Sequence, residues 1–374
     1  MRLHVFAIPH TITNEDYVSC AFTQKVLKFC KMMFLRGHTV YHYGHDKSDV
    51  ICSDHISVTN NSILEEAYGI YNWKKDFFKH SGDDLAHRTF VKNAKDALRD
   101  RVKKNDIACI FWGFVHYEIC ASFKDDLIIV EAGMGCPNKP AAEFAVFESY
   151  ALLHEMVGRH ERYPRFYDAV IPNYFDKKDF IYNPYPKNYM LYLGRIIDCK
   201  GIRIAIDATE KAGKTLYIAG QGDLASFLNN TIPSHVIDIG FADIKARKEL
   251  MSNAQALIAP THYNEPFGGV TVEAMLCGTP IITTDWGAFA ENNIHGITGY
   301  RCRTMEQFVW ACKNIHLLSR LDCHKWASSN FTFDKVGAMY DEYFNSLLQV
   351  HNGQGGFYAE NNSRQELDWL KKTI

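Results

Sequence analysis

Apolar residues in this chain come in short blocks separated by amphipathic stretches, and the two kinds alternate. Residues 3–8 (LHVFAI) are a short apolar run closed by Pro9, the pattern of a buried parallel strand. Over residues 17–36, Ala21, Phe22, Val26, Leu27, Cys30, Met33 and Phe34 recur at helical spacing, and Gly37 supplies a stop before the strand-like HTVYHYG. Strand, helix and strand in that order make a βαβ unit. Residues 90–106 place Phe90, Ala94, Leu98 and Val102 on one stripe with charges elsewhere, which predicts a helix with a solvated face. The runs IACIFWGF and DLIIVEAG predict two more buried strands. FESYALLHEMVG predicts a helix, and AVIPNYF a further strand.

Residues 176–187, DKKDFIYNPYPK, break this rhythm with charges and two prolines, and then the alternation restarts. MLYLG, TLYIAG, HVIDIG, ALIAP and PIITTD predict strands, with helices at GIRIAIDATEKAG and VTVEAML. The expected fold is α/β, with two Rossmann-like doubly wound domains facing each other across a cleft. The boundaries drawn from this pattern are 1–182, 183–350 and a tail from 351 to 374. In the tail, Ser363 and Glu366 have capping-box spacing, which predicts a docking helix.

A length of 374 residues suits two domains. With 47% hydrophobic and 22% charged residues, the composition is that of a folded enzyme and excludes disorder. A net charge of −2 argues against nucleic acid as a partner, because phosphate binding needs a basic face. Eleven cysteines are scattered without a CxxC pair or Cys/His cluster, so no metal site is expected and the thiols suit a reducing compartment. No apolar run is long enough to span a bilayer, and the N-terminus lacks a cleavage site. The expected location is cytoplasmic, with room for peripheral contact at a membrane surface.

Three stretches at predicted strand ends carry candidate chemistry. After MLYLG, Gly194 leads to Arg195 and Lys200, two cations whose place in a cleft calls for an anion such as a diphosphate. After TLYIAG, Gly220 and Gly222 flank Gln221; the spacing fits a tight turn or a close approach of a nucleotide to the backbone. After ALIAP, the loop THYNEPFGG runs into a helix opening near Gly269. The amides of Gly268, Gly269 and Val270 then form an anion site favoured by the helix dipole. A carboxylate beside phosphate would repel it, so Glu265 and Glu273, eight positions apart, are expected to accept from hydroxyls on either side of the diphosphate. Each stretch alone is weak; together they describe a nucleoside diphosphate sugar site.

LGRIIDCKG, IAGQGD and EPFGGVTVEAMLCGTPIITTD, in that order, resemble the donor-side motifs of retaining GT-B glycosyltransferases of the EX7E type (glycosyltransferase family 4-like). VIPNYFDKKDF resembles the lead-in to that family's interdomain linker. The resemblance implies an acceptor-binding first domain and a donor-binding second one, a UDP- or GDP-sugar donor, a glycan, lipid or protein hydroxyl as acceptor, and no required metal. It implies that Arg195 and Lys200 stabilise the leaving diphosphate. Glu265, Pro266, Phe267 and the amides that follow hold sugar and phosphate, Glu273 binds the ribose, and Gly220 with Phe241 and Asp243 lines the nucleobase.

The first half departs from the family's commonest form: AIPHTITNED stands where many members have a Gly-Gly loop, leaving His10 or Thr11 to replace it. Many members also place a histidine after a strand of this domain. The candidates here are His116 and His154, while DLIIV ends in Glu131. Trp112, Phe114 and Tyr117 are candidates for stacking on an acceptor sugar. Three rival readings share the architecture: a nucleotide-sugar 2-epimerase, a nucleotide-sugar sensor without turnover, and a nicotinamide dehydrogenase, the last disfavoured by the missing glycine fingerprint.

Overall fold

A computed structural model describes residues 1–354; the expected tail helix at Ser363–Glu366 lies outside the described residues. Thirteen strands among the described residues fall into two separate sheets, each wholly parallel. The first contains β1 (Arg2–Phe6), β2 (Thr39–His45), β3 (Asp54–Thr59), β4 (Asp106–Ile110), β5 (Leu127–Met134), β6 (Phe144–Phe147) and β7 (Asp168–Val170) in the order β3-β2-β1-β4-β5-β6-β7. It is covered by α1 (Ala21–Leu35), α2 (Asn61–Tyr68), α3 (Leu85–Arg99), α4 (Gly113–Cys120) and α5 (Tyr150–Arg159). The second contains β8 (Met190–Leu193), β9 (Leu216–Ala219), β10 (Val236–Gly240), β11 (Ala256–Ala259), β12 (Ile281–Thr284) and β13 (Gly299–Cys302) in the order β10-β9-β8-β11-β12-β13. Its helices are α6 (Ile202–Ala212), α7 (Leu224–Phe227), α8 (Ile244–Asn253), α9 (Gly269–Leu276), α10 (Phe289–Asn292), α11 (Met305–Asn314) and α12 (Arg320–Asn330). The last helix among the described residues is α13 (Phe333–His351).

The two orders have the same logic. In each sheet the chain starts in the middle, winds outward one way, then crosses back to the other side. The crossing leaves a crevice at the carboxyl ends of β1 and β4 in the first sheet, and of β8 and β11 in the second.

Local sequence accounts for the helix starts that position the site. Ser149 caps α5, its hydroxyl accepting from the Leu152 amide at 3.1 Å. Gly268 precedes α9 at φ +76, where a side chain would also strike the Phe289 ring. Gly201, at φ +73, lies so close to the Pro260 carbonyl that no side chain fits, which packs the β8 and β11 loops together.

The structure corrects the sequence reading in three places. The apolar run IACIFWGF is β4 only as far as Ile110; Gly113 already opens α4, so the run continues because the helix too is buried. β3, β6 and β13 are strands that the pattern did not separate from their neighbours. Finally, α13 was assigned to the second domain by position, yet Val336, Met339, Tyr340, Tyr343, Phe344 and Leu347 are buried in the first domain's core, with the Tyr340 hydroxyl donating to the Ala132 carbonyl at 3.1 Å. The chain therefore crosses between domains twice, side by side, where Phe175 pairs with Thr332.

Candidate active site

The crevice of the second sheet holds a compact polar cluster. β8 ends at Leu193, and the loop beyond it carries Arg195 and a short 3-10 turn, Asp198–Lys200. The loop after β11 brings Tyr263 and Glu265 to the same place. Lys200 Nζ donates to Glu265 Oε2 at 2.7 Å and to the Tyr263 hydroxyl at 2.5 Å. Glu265 is buried, so the lysine offsets a carboxylate that would otherwise be costly to desolvate. Burial first, and then the Glu265 charge, push the Tyr263 hydroxyl far above its ordinary range, while Arg195 pulls the other way. The Arg195 side chain is exposed and makes no hydrogen bond or ion pair among the described residues. One cation is thus paired and held, and the other is free.

Directly after Glu265, the chain enters α9. The amides of Gly268, Gly269 and Val270 at the start of that helix have no backbone acceptor among the described residues and carry the positive end of the dipole, while the Thr271 amide already donates to the Gly268 carbonyl at 2.9 Å. Gly287 fixes the loop from behind: at φ +60, a side chain there would run into the Glu265 backbone and the Asn264 amide. The start of α9 and the loop that carries Arg195 and Lys200 therefore lie side by side in one crevice.

Glu273 lies one turn into α9, and the structure gives it company that the sequence did not suggest. Arg247 Nη2 of α8 donates to Glu273 Oε2 at 2.7 Å, and Lys28 Nζ of α1 lies 3.6 Å from Oε1. Burial raises the proton affinity of this carboxylate, but Arg247 and Lys28 outweigh it and hold its pKa below the usual value. It is an ionised acceptor with Oε1 still open to a hydroxyl donor, since 3.6 Å is too long for a hydrogen bond.

Several expected donor contacts are instead structural. Gly220, at φ +156, passes so near the Gly194 carbonyl that any side chain would collide, and its amide donates to the Gly240 carbonyl at 2.9 Å. Both Gly194 and Gly220 serve the packing of neighbouring strand ends. Gln221 is buried and faces the first domain, where its Nε2 donates to the carbonyls of Trp73 (2.6 Å) and Asp76 (2.7 Å). Pro266 offers its carbonyl to the Ser149 hydroxyl at 2.7 Å. Phe267 is a core residue, stacked on Phe175 with its carbonyl bound by Asn292. By contrast, Phe241 and Asp243 do line a cavity of about 350 Å³ between the domains, with Glu15, Asp16 and Lys74 on its other side. Asp243 also caps α8, accepting from the Ala246 amide at 2.8 Å.

Both candidate histidines fall away from this cluster. His116 belongs to α4 and is fully buried: Nδ1 accepts from the Phe111 amide at 3.2 Å and Nε2 bonds the Ala7 carbonyl at 2.9 Å. Burial holds its pKa down to about 3, so it is a neutral core residue occupied at both nitrogens. The expectation failed because the strand ends earlier than its apolar run. His154 sits on the exposed face of α5 beside Tyr150. Glu131 lies inside β5, which runs on to Met134 instead of ending there; it is buried and accepts from the Ala141 amide at 2.8 Å, and burial raises its pKa to about 7.

The sequence reading missed Tyr263, Lys28, Arg247 and a buried pair, Lys25 with Glu148, that sits below the crevice. Lys25 donates to Glu148 and, at 2.8 Å, to the Gly133 carbonyl; Asn173 donates to the other Glu148 oxygen at 2.8 Å. Burial holds Glu148 above its usual pKa, and the charge of Glu265 adds to the rise. Tyr263 had a local signal, two residues before Glu265 on an extended loop. The others come from helices that only the fold brings near.

The domains are also clasped at this point. The Glu291 carboxylate of α10 accepts from the first amides of α5, Tyr150 at 3.0 Å and Ala151 at 2.7 Å, while Asn264 donates to Glu155 at 2.5 Å.

Residues 175–322 match the family model described as Glycosyl transferases group 1. A glycogen synthase from Mycobacterium tuberculosis is 36% identical over 123 residues, a match spanning 30% of this chain and 30% of that enzyme. A phosphatidyl-myo-inositol mannosyltransferase from the same organism is 32% identical over 137 residues, 33% of this chain and 36% of that protein. The match thus spans about a third of these relatives' length. Among solved structures, AviGT4, a glycosyltransferase involved in avilamycin A biosynthesis, superposes with a TM-score of 0.70 at 16% identity, over 93% of this chain and 98% of that one. HepE of Anabaena in complex with UDP-glucose superposes at 0.65 and 15% identity, over 92% and 100%. Residues 175–322 are thus similar to the glycosyl transferases group 1 family, within a chain that has the two-domain GT-B fold.

Proposed function

We propose that the chain is a retaining glycosyltransferase that moves a hexose-type sugar from a UDP- or GDP-sugar to a hydroxyl of a glycan, lipid-linked or other acceptor. The observation that carries this reading is the Lys200–Glu265–Tyr263 cluster beside the open start of α9, with unpaired Arg195 next to it. Two cations and a helix N-terminus converge where a diphosphate gains charge on leaving. A relative in fold that holds UDP-glucose supports a uridine nucleotide as the first donor to try.

In this mechanism the bond from the sugar's anomeric carbon to the diphosphate oxygen breaks as the acceptor hydroxyl approaches the same face. The leaving phosphate takes the hydroxyl proton, so no enzymic nucleophile is needed. Arg195, Lys200 and the α9 amides offset the growing charge without a metal. Glu265 holds Lys200 in place and presents its remaining oxygen to a sugar hydroxyl. Glu273 accepts from the ribose, and the cavity beside Phe241 takes the nucleobase. A thermal-shift panel of UDP-, GDP- and ADP-sugars tests the reading: the true donor stabilises the protein as its concentration exceeds its Kd. The reading fails if none of them does so, or if the stabilising donor is neither hydrolysed slowly alone nor consumed with acceptor.

A further inference from the structure

The crevice of the first sheet, at the ends of β1 and β4, is lined chiefly by rings. His10 follows β1 and Trp112 follows β4, their ring centroids 5.3 Å apart. His80 stacks on His10 at 4.4 Å, and His87 stacks on it at 5.6 Å. His87 is itself fixed, between Asp84 at 2.8 Å on Nδ1 and the Trp112 Nε1–H at 3.2 Å on Nε2. His10 is only 5% exposed, yet its Nδ1 has no hydrogen-bond partner. A buried polar atom left without a partner costs free energy unless a ligand or water meets it.

His10 borders a cavity of about 180 Å³ whose walls include Tyr17, Tyr68, Tyr71 and Trp73, with exposed Glu65 among its lining. The Trp73 ring stacks on Tyr17 at 4.4 Å and meets Phe241 edge-on at 5.9 Å. One tryptophan therefore separates this cavity from the larger one assigned above to the nucleobase. We propose that this cavity is the acceptor subsite and that its occupant is an uncharged sugar ring; the proposal rests on the transferase reading.

The chemistry of the walls selects that class. A pyranose ring has an apolar C–H face and a rim of hydroxyls, which calls for aromatic faces with a few hydrogen-bonding groups between them. Tyrosines and Trp73 supply the faces and the exposed Glu65 carboxylate accepts from hydroxyls, while the His10 ring closes one wall with its Nδ1 enclosed. An anionic headgroup finds no free cation here. Lys79 lies over the Tyr71 ring and donates to the Tyr68 carbonyl at 3.2 Å, and Lys74 lies over Trp73 and Phe241 toward the other cavity. Glu65 would repel an anion outright.

The test is saturation-transfer NMR and affinity titration on the full chain. The probes are methyl α-glucoside, methyl α-mannoside and methyl N-acetyl-α-glucosaminide, against glucuronate, glucose 6-phosphate and a short-chain phosphatidic acid. At least one neutral glycoside should bind, and both Tyr71→Ala and Glu65→Ala should weaken it by roughly fivefold to tenfold, the share of one lost ring or hydrogen bond. Glu65 is exposed, so its replacement gives a folded variant if the Tyr71 change unfolds the segment. Tighter binding of any anion, no binding of the neutral glycosides, or glycoside affinity unmoved in both variants overturns the assignment. The nucleotide-sugar panel run alongside separates the two readings. Nucleotide-sugar binding without glycoside binding sinks this subsite alone, whereas glycoside binding without any nucleotide-sugar response sinks the transferase reading.

Discussion

The two crevices occupy the same topological position in their sheets and are furnished in opposite ways. In the second domain, the loops after β8 and β11 bring Arg195, Lys200 and Glu265 together beside a helix N-terminus. In the first, the loops after β1 and β4 bring His10 and Trp112 together among stacked rings. The fold supplies a cleft in both cases, and short loops decide what chemistry enters it. A charged ligand group and a neutral one can then be held side by side, each by walls of matching character.

The sharpest way to break this contrast is acid. His10, His42 and His116 of the first domain are buried with pKa values lowered to about 3, in each case chiefly by burial. Such histidines bind fewer protons folded than unfolded between about pH 3 and 6.5, so the stability they protect is full above 6.5 and is lost as the pH falls. At pH 5 the loss is on the order of 2 kcal/mol for each. Glu131 opposes this: its pKa is raised to about 7, so it favours the fold at low pH and loses that contribution as the pH rises toward 7. Glu148 is raised as well, but His45 and His80 are also lowered, so five imidazoles stand against two carboxyls. Hydrogen exchange at pH 5, corrected for intrinsic rates, should therefore show protection lost over β1–β5 before β8–β12. Equal loss in both sheets would mean that these imidazoles do not govern the first domain's stability. Glu131→Gln should steepen the loss between about pH 4.5 and 7.

The charged crevice is tested next. Lys200→Ala should lower turnover by roughly two to three orders of magnitude, the size of one removed transition-state stabiliser. Because it also strands the buried Glu265 carboxylate, part of the change would appear as lost thermal stability. Arg195→Ala separates the effects. That side chain is exposed and unpaired among the described residues, so its removal should cost turnover while the melting temperature stays put. Turnover within a few-fold of wild type in both variants would end the assignment of these cations to the diphosphate.

Much of the second crevice was legible before folding, because its parts are local. A strand end, two glycines and a helix start within a dozen residues announce an anion cradle, and Lys200 follows its strand within one turn. What stayed hidden were partners supplied by distant elements. Lys28 reaches Glu273 from α1, a helix whose own pattern is ordinary, and Arg247 reaches it from α8. The first crevice was harder still. Its rings come from separate segments, His10 after β1, His80 before α3, His87 on α3 and Trp112 after β4, and the apolar run through IACIFWGF concealed where β4 stops, which is why His116 read as a strand-end residue when it is packed inside α4. Polarity alone does not separate a buried helix from the buried strand before it. The glycines of IAGQGD misled differently: they pack one strand end on another, a need that produces the same residues as a ligand approaching the backbone.

Glu273 sharpens the comparison at smaller scale, since it joins a first-domain lysine to a second-domain helix. Glu273→Gln removes the charge that holds Arg247 and Lys28, and it weakens the acceptor offered to a ribose. Nucleotide affinity measured by calorimetry should fall by roughly tenfold, about the value of one charge-assisted hydrogen bond. An unchanged affinity would leave Glu273 a purely structural clasp between α1, α8 and α9.

The smallest expected effect concerns how the two crevices are kept in register. Gln221 stands at the end of β9 in the second domain, but its amide group holds the carbonyls of Trp73 and Asp76 in the first. Those residues belong to the segment that walls both cavities. Replacing Gln221 by alanine removes two donors from two carbonyls, at a cost of roughly 1–3 kcal/mol that water partly recovers because the segment is largely exposed. The sheets do not depend on these bonds, so the cost should be local. Amide exchange across residues 69–84 should accelerate by roughly fivefold to a hundredfold while β8–β12 keep wild-type protection. Gln221→Glu should do more, because a carboxylate sets acceptor against acceptor. If neither variant changes exchange in that segment, the wall between the cavities is held by its ring stacking alone, Tyr17 on Trp73 and Trp73 against Phe241. The side chain after the first glycine of IAGQGD would then have no part in coupling the domains.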